Sequence, residues 1–245
     1  MKIKVITYNI HSGQDAQNIY SLEAVIAVLR DVSADIICLQ EVDKNWGERS
    51  NFEDQPEIIS KALGMESVYS PSLDEENKDN PKRRRQYGEL LLCRYPIKEK
   101  TLYKMYIKDD SAISYDGTNK TESRSAILAK LDVESKELWV INTHLDFAQQ
   151  EERTRQVKKL EKIIKETSGA LILCGDLNAG PDTEELMILT KYLKDSASGK
   201  NFISGPAINP GRIDHILIRG VFVINVSMIN AYASDHRPVV AELEV

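Results

Sequence analysis

Nine short apolar runs, rich in β-branched residues, constrain this chain more than any other feature. They fall at 2–8, 35–39, 90–93, 126–131, 138–141, 170–174, 213–218, 221–229 and 239–245. Runs of this length and composition read as strands. Helical patterns are fewer. Ser21 can cap a helix over about 22–31, with Leu22, Val25, Ile26 and Leu29 on one face. Others are expected over 53–63, 149–167 and 183–193, the third carrying Val157, Leu160, Ile163 and Ile164 as an apolar stripe. Strands outnumber helices about two to one, and several follow one another directly. That succession disfavours a doubly wound parallel sheet. Two mixed sheets packed face to face, with helices over their outer faces, fit it better. No 20–50 residue repeat and no Pro/Gly-rich linker divides the chain, so one domain over 1–245 is expected.

Composition narrows the classes. With 245 residues, 42% hydrophobic and 29% charged, the chain is neither globally disordered nor in need of a covalent staple. No apolar run approaches the ~20 residues of a membrane span. The start, MKIKVITYN, is too short for a signal sequence and lacks a small-residue cleavage site. A cytoplasmic monomer is therefore expected. Cys38, Cys93 and Cys174 each lie in an apolar run and read as reduced core residues. A net charge of −6 weighs against broad coating of nucleic acid, though not against a local phosphate pocket.

The unusual polar residues gather at the ends of strands. One run ends at Asn9, another at Glu41, a third in Asn142, His144 and Asp146, a fourth in Asp176 and Asn178. Asp214 opens one further run, and Asp235-His236 precede another. If all six sites share one rim, four strands run toward it and two run away, as a mixed sheet allows. Ligand sites collect at such rims because loops there carry polar groups without burying them. Side chains alternate along a strand, so Asn142, His144 and Asp146 can point one way, as can Asp176 and Asn178. The pool is carboxylates, amides and two histidines, with no Cys cluster. That donor set suits Mg²⁺ or Mn²⁺ and not a structural zinc. Amides and histidines left over, Asn142 among them, would hold phosphate oxygens or orient a water.

Two polar, turn-rich stretches, 71–86 and 109–123, read as surface loops. The Lys82–Arg85 run in the first is either a solvated loop or a rim that attracts a polyanion. His215 reads as a packed strand histidine, and His11 has no assigned role.

The strings TYNIH (7–11), LQEV (39–42), NTHLD (142–146), GDLN (175–178), RIDHIL (212–217) and SDHRPV (234–239) occur in that order. Together they resemble the signature blocks of the endonuclease/exonuclease/phosphatase superfamily over nearly the whole chain. The resemblance implies a four-layer α/β sandwich of the DNase I-like kind and metal-dependent hydrolysis of phosphate esters. It implies Glu41, with Asn9 and Asp235, as the metal side, with Mg²⁺ or Mn²⁺ as the ion. Asp176 resembles the aspartate that orients or deprotonates water, and Asn178 its partner on the phosphate. His236 and His144 resemble phosphate-contacting histidines, and Asp214 the acid that pairs with His236. Either Asp176 or His236 could serve as base. Glu89 stands in YGELLLCRYP where the related block often has Asn. Glu122 and Arg124 resemble a Glu-x-Arg pair near the site. Asn142, Asp146, Glu89 and Arg124 complete the set as candidate substrate-side residues.

A phosphoester substrate is the expected partner, with nucleic acid less favoured by charge than a small or lipid phosphoester. The competing class is a catalytically silent phosphate-binding module on the same fold.

Overall fold

The computed structural model describes residues 1–78, 80–105 and 123–245. Most of the expected loop at 109–123, Glu122 included, lies outside them. Among the described residues, strands are β1 (Lys2–Asn9), β2 (Ile36–Lys44), β3 (Glu66–Glu75), β4 (Arg85–Cys93), β5 (Ile97–Met105), β6 (Arg124–Val133), β7 (Lys136–His144), β8 (Ala170–Asp176), β9 (Lys194–Asp195), β10 (Asp214–Arg219), β11 (Phe222–Met228) and β12 (Val239–Glu244). The helices are α1 (Leu22–Val32), α2 (Gln55–Leu63), α3 (Gln150–Glu166) and α4 (Glu184–Thr190).

The strands form two six-stranded sheets, ordered β11-β12-β1-β2-β4-β3 and β5-β6-β7-β8-β10-β9. Both are mixed. β1 runs parallel to β2 and antiparallel to β12, and β7 runs parallel to β8, which is antiparallel to β10. Alternation along each strand divides its apolar residues between two cores. Val5, Ile36, Cys38, Ile127, Val140, Ile172 and Cys174 face the other sheet and fill the space between the two. Ile6, Ile37, Leu39 and Leu90 point outward and are covered by Leu22, Val25 and Leu29 of α1 and Ile59 of α2. On the far side Ile141, Leu171, Leu173 and Leu217 are covered by Val157, Leu160 and Ile164 of α3 and Leu186 and Leu189 of α4. The result is a four-layer α/β sandwich. The three cysteines are free and buried in it.

Local chemistry sets the boundaries. Ser21 Oγ accepts the Ala24 N–H at 3.2 Å and starts α1. Asp54 Oδ1 accepts the Glu57 N–H and starts α2, which Gly64 ends at φ 63°. Three described strands are absent from the sequence expectation: β3, whose residues 71–75 were expected in a loop, β5, and the two-residue β9. All three are edge strands. An edge strand has a solvated side, tolerates Pro71, and carries the charged and polar residues that hide its period. No described helix is long and apolar enough to cross a membrane.

Candidate functional site

The rim geometry is the one the strand ends call for. β1 and β2 deliver Asn9 and Glu41, β7 and β8 deliver His144 and Asp176, and Asp214 and His236 sit just where β10 begins and before β12. Registry places His144 and Asp214 opposite Asp176 on its two neighbouring strands. Gly175 lets β7 come close beside Asp176, since a Cβ there would lie 2.0 Å from the Thr143 carbonyl oxygen.

Between the two sheets the rim opens into a cleft of about 560 Å³. Glu41, Arg124, His144, Asp176, Asn178, Asp235 and His236 line it. Asn9 and Asp214 stand directly behind. Asn9 Nδ2 donates to Glu41 Oε1 at 2.9 Å and to Asp176 Oδ2 at 3.1 Å, while Asn9 Oδ1 accepts the His11 N–H at 3.0 Å. Expected as a metal ligand, Asn9 thus presents its NH₂ end to both carboxylates and braces them. Glu41 sits in a bulge of β2 at φ 58°, and Asn178 follows β8 at φ 48°. Non-glycine residues held in that left-handed region are typical of functional sites.

Asp176 receives the Asn178 N–H on Oδ1 at 3.0 Å. Burial, then the Asp214 charge, push its pKa up to about 7, against His236, Asn9 and Asn178. His236 Nδ1 lies 3.1 Å from Asp214 Oδ2, and its Nε2 lies 3.6 Å from Asp176 Oδ2. Burial alone would make this ring neutral, but Asp214 and Asp176 outweigh it and raise the pKa to about 10. His144 is the opposite case. Burial, Arg124 and His236 all hold it well below the usual histidine value. Arg124 Nη1 lies 3.3 Å from His144 Nδ1, and His144 Nε2 lies 3.4 Å from Asp176 Oδ2. Asn178 Nδ2 donates to the Leu145 carbonyl and lies 3.0 Å from that same Nε2.

Two groups of donors could take a cation. Glu41 and Asp235 offer charged oxygens on the cleft wall. Burial disfavours the Glu41 anion, but His11, Asn9, His236 and Arg124 together hold its pKa below the ordinary value. Asp176, Asp214 and His236 bring one ligand atom each within 4.8 Å, but the His236–Asp214 hydrogen bond already occupies one ring nitrogen. Carboxylate oxygens on the first pair fit a hard divalent ion.

Three expected substrate-side residues do not line the cleft. Asn142 is fully buried between the sheets. It donates to the Leu39 and Leu90 carbonyls at 2.9 and 3.0 Å and accepts from Gln40 Nε2 at 2.7 Å. Asp146 takes the Ala148 and Gln149 N–H groups and shapes the turn into α3. Glu89 is buried against Ser72 Oγ and Ser125 Oγ. Burial, eased by those hydroxyls and by Arg124 and Lys104, pushes its pKa up to about 7. Of the Lys82–Arg85 run, Lys82, Arg83 and Arg84 line a different depression, against α2. Arg84 pairs with Asp74 at 2.6 Å, and Arg85 lies over the Trp46 ring. His215 is packed, with Nε2 on the Ala179 carbonyl at 2.8 Å.

Sequence reasoning missed His11, Phe147, Arg153 and the 206–209 loop, all on the cleft wall. His11 lies two residues past Asn9, a spacing that could have marked it. Arg153 was hidden among the charges of α3, where it holds Glu185 and the Asp146 and Phe147 carbonyls.

Known proteins resemble this chain. The chain is 31% identical over 127 residues to a "UPF0294 protein" of Vibrio campbellii, covering 47% of this chain and 43% of that one. It is 27% identical over 192 residues to the uncharacterized protein YbhP of Escherichia coli K12, covering 71% and 66%. The chain thus spans less than two thirds of the length of each relative. A solved endonuclease/exonuclease/phosphatase from Bacteroides vulgatus superposes with a TM-score of 0.75 at 21% identity, covering 100% of this chain and 99% of that one. The model of the Endonuclease/Exonuclease/phosphatase family matches residues 6–236, a span that takes in Asn9, Glu41, His144, Asp176, Asp214 and His236. By that match, the chain belongs to the endonuclease/exonuclease/phosphatase family.

Proposed function

We propose that residues 1–245 form one catalytic domain that hydrolyses a phosphate ester by in-line attack of water, with a divalent cation, Mg²⁺ or Mn²⁺, held by Glu41 and Asp235. Family members are phosphoester hydrolases. The observation that carries the reading is the convergence of Asp176, Asn178, His144 and the Asp214–His236 pair on one wall of the cleft.

Asp176 accepts the proton of the attacking water, since its carboxylate is fixed from both sides by Asn9 and the Asn178 N–H. Phosphorus gains the bond to the water oxygen as the ester oxygen leaves on the opposite side. His236, oriented by Asp214, presents Nε2–H to the phosphoryl oxygens, and the His144 ring faces the cleft beside it. The cation would polarise the phosphoryl group and offset its growing charge. An acidic chain and no basic stripe favour a small or lipid phosphoester over a polynucleotide.

The test is a panel of phosphomonoesters and diesters with Mg²⁺, Mn²⁺ or Ca²⁺. Metal-dependent turnover is expected, abolished by excess chelator. Glu41→Ala and Asp176→Asn should each lower it by on the order of 10²–10³-fold without unfolding the protein. Phosphoester binding without turnover under every metal would favour the silent binding module instead, and full activity in chelator would remove the cation from the reaction.

A further inference from the structure

We infer that His11 supplies a nitrogen ligand to the cation of Glu41 and Asp235, and that it tilts the site toward Mn²⁺ over Mg²⁺. The inference rests on the cation reading above and extends it to which ion is preferred.

His11 Nδ1 is buried, yet no hydrogen-bond partner reaches it. Its nearest acid, Asp235 Oδ1, is 3.7 Å away, beyond hydrogen-bond distance. The ring lines the cleft beside Glu41 and Asp235. A buried ring nitrogen left without a partner is costly, and a ligand that reached it would remove that cost.

The backbone is built to hold the ring there. His11, Ser12 and Gly13 take φ values of 47°, 55° and 82°, three left-handed residues in succession. The turn is pinned from several directions. Asn9 Oδ1 accepts the His11 N–H, Gln55 Nε2 donates to the Ser12 carbonyl at 2.7 Å, and the Ser21 N–H donates to the Gly13 carbonyl at 2.9 Å. A Cβ at Gly13 would lie 2.8 Å from the Tyr20 ring, so the turn is packed as well as bonded. Strain of this kind persists only where the surroundings over-determine it, and it clusters at functional sites. Asn9, which fixes the His11 N–H, also fixes Glu41, so one amide sets both donors.

The consequence for ion choice follows from donor chemistry. Mg²⁺ takes oxygen ligands and keeps several waters. Imidazole adds most to the binding of later first-row divalent ions, for which affinity rises from Mn²⁺ onward. A His11 nitrogen beside two carboxylates therefore favours Mn²⁺ where oxygens alone would not.

The experiment loads the full chain with Mn²⁺ alone and records its electron spin-echo modulation, with calorimetric titrations of Mn²⁺ and Mg²⁺ alongside. His11→Asn is the variant, because Asn tolerates the left-handed backbone and offers an oxygen in place of the nitrogen. Directly bound ¹⁴N should appear in the wild type and vanish in His11→Asn. Mn²⁺ affinity should fall by roughly ten- to a hundredfold, as for loss of a ligand-orienting group, while Mg²⁺ affinity changes by less than about threefold. Near-UV circular dichroism checks that the variant is folded. Wild-type Mn²⁺ binding that is lost in Glu41→Ala but shows no ¹⁴N overturns this inference alone. So does ¹⁴N that survives in His11→Asn, or Mn²⁺ affinity that stays unchanged while KM for a phosphoester rises. A wild type that binds no Mn²⁺ overturns the cation reading together with this one.

Discussion

The hydrogen bond from His236 Nδ1 to Asp214 Oδ2, 3.1 Å long, crosses from one sheet to the other. Asp214 opens β10 in the second sheet, and His236 precedes β12 in the first. The two strands share a rim but belong to different sheets. Asp214→Asn should leave folding and metal binding largely intact and lower kcat by on the order of 10²–10³-fold. Combining it with His236→Ala should add little to the worse single change, because the pair acts as a unit. Additive losses in steady-state kinetics would refute the pairing.

Asn142 gives a contrasting expectation. Its three hydrogen bonds join β2, β4 and β7 across the core and none faces the cleft. Asn142→Ala strands buried carbonyls and the Gln40 amide, so stability should fall by about 3 kcal/mol. In a chain of this size that lowers Tm by roughly 6–12 °C. KM for a phosphoester should not change, and a rise in KM at unchanged Tm would return Asn142 to the substrate.

Glu89 should write a pH signature on stability. Its pKa is about 7 in the fold against an ordinary 4.5. Between those values the folded chain keeps a proton that the unfolded chain releases. Unfolding free energy therefore falls as pH rises through that window, and the penalty is complete above the folded value. Glu89→Gln should stabilise the protein by about 2–3 kcal/mol near pH 8 and by little near pH 4, measured by denaturant titration at each pH. A variant less stable than wild type near pH 8 would contradict it.

The basic run offers a test of location. Lys82 and Arg83 line the depression against α2 and not the cleft of Glu41 and Asp176. Neutralising both should leave kcat/KM for a small phosphoester within about twofold at every ionic strength. A loss that grows as salt is removed would restore them as a steering rim.

The sequence was most informative where chemistry and periodicity coincide. Four helices and the strand ends carrying Asn9, Glu41, His144, Asp176, Asp214 and His236 could be read from it, because each polar residue interrupts an apolar run. It was least informative where exposure blurs the period, as in β3 and β5. Depth along the strand was also hidden. Asn142 and His144 are two residues apart on the same face of β7, yet Asn142 closes the core and His144, the last residue of the strand, faces the cleft at the rim. His11 escaped because its role comes from a strained turn, and φ is not written in residue type outside glycine.

The bonds from Asn9 to Asp176, Gln40 to Asn142 and His236 to Asp214 all run between the same two sheets. The cleft therefore has no floor of its own. It exists only while two separately hydrogen-bonded slabs keep their spacing. Turnover becomes a gauge of that spacing, and side chains deep in the middle layer, far from any substrate, answer to the same constraint as those that touch it.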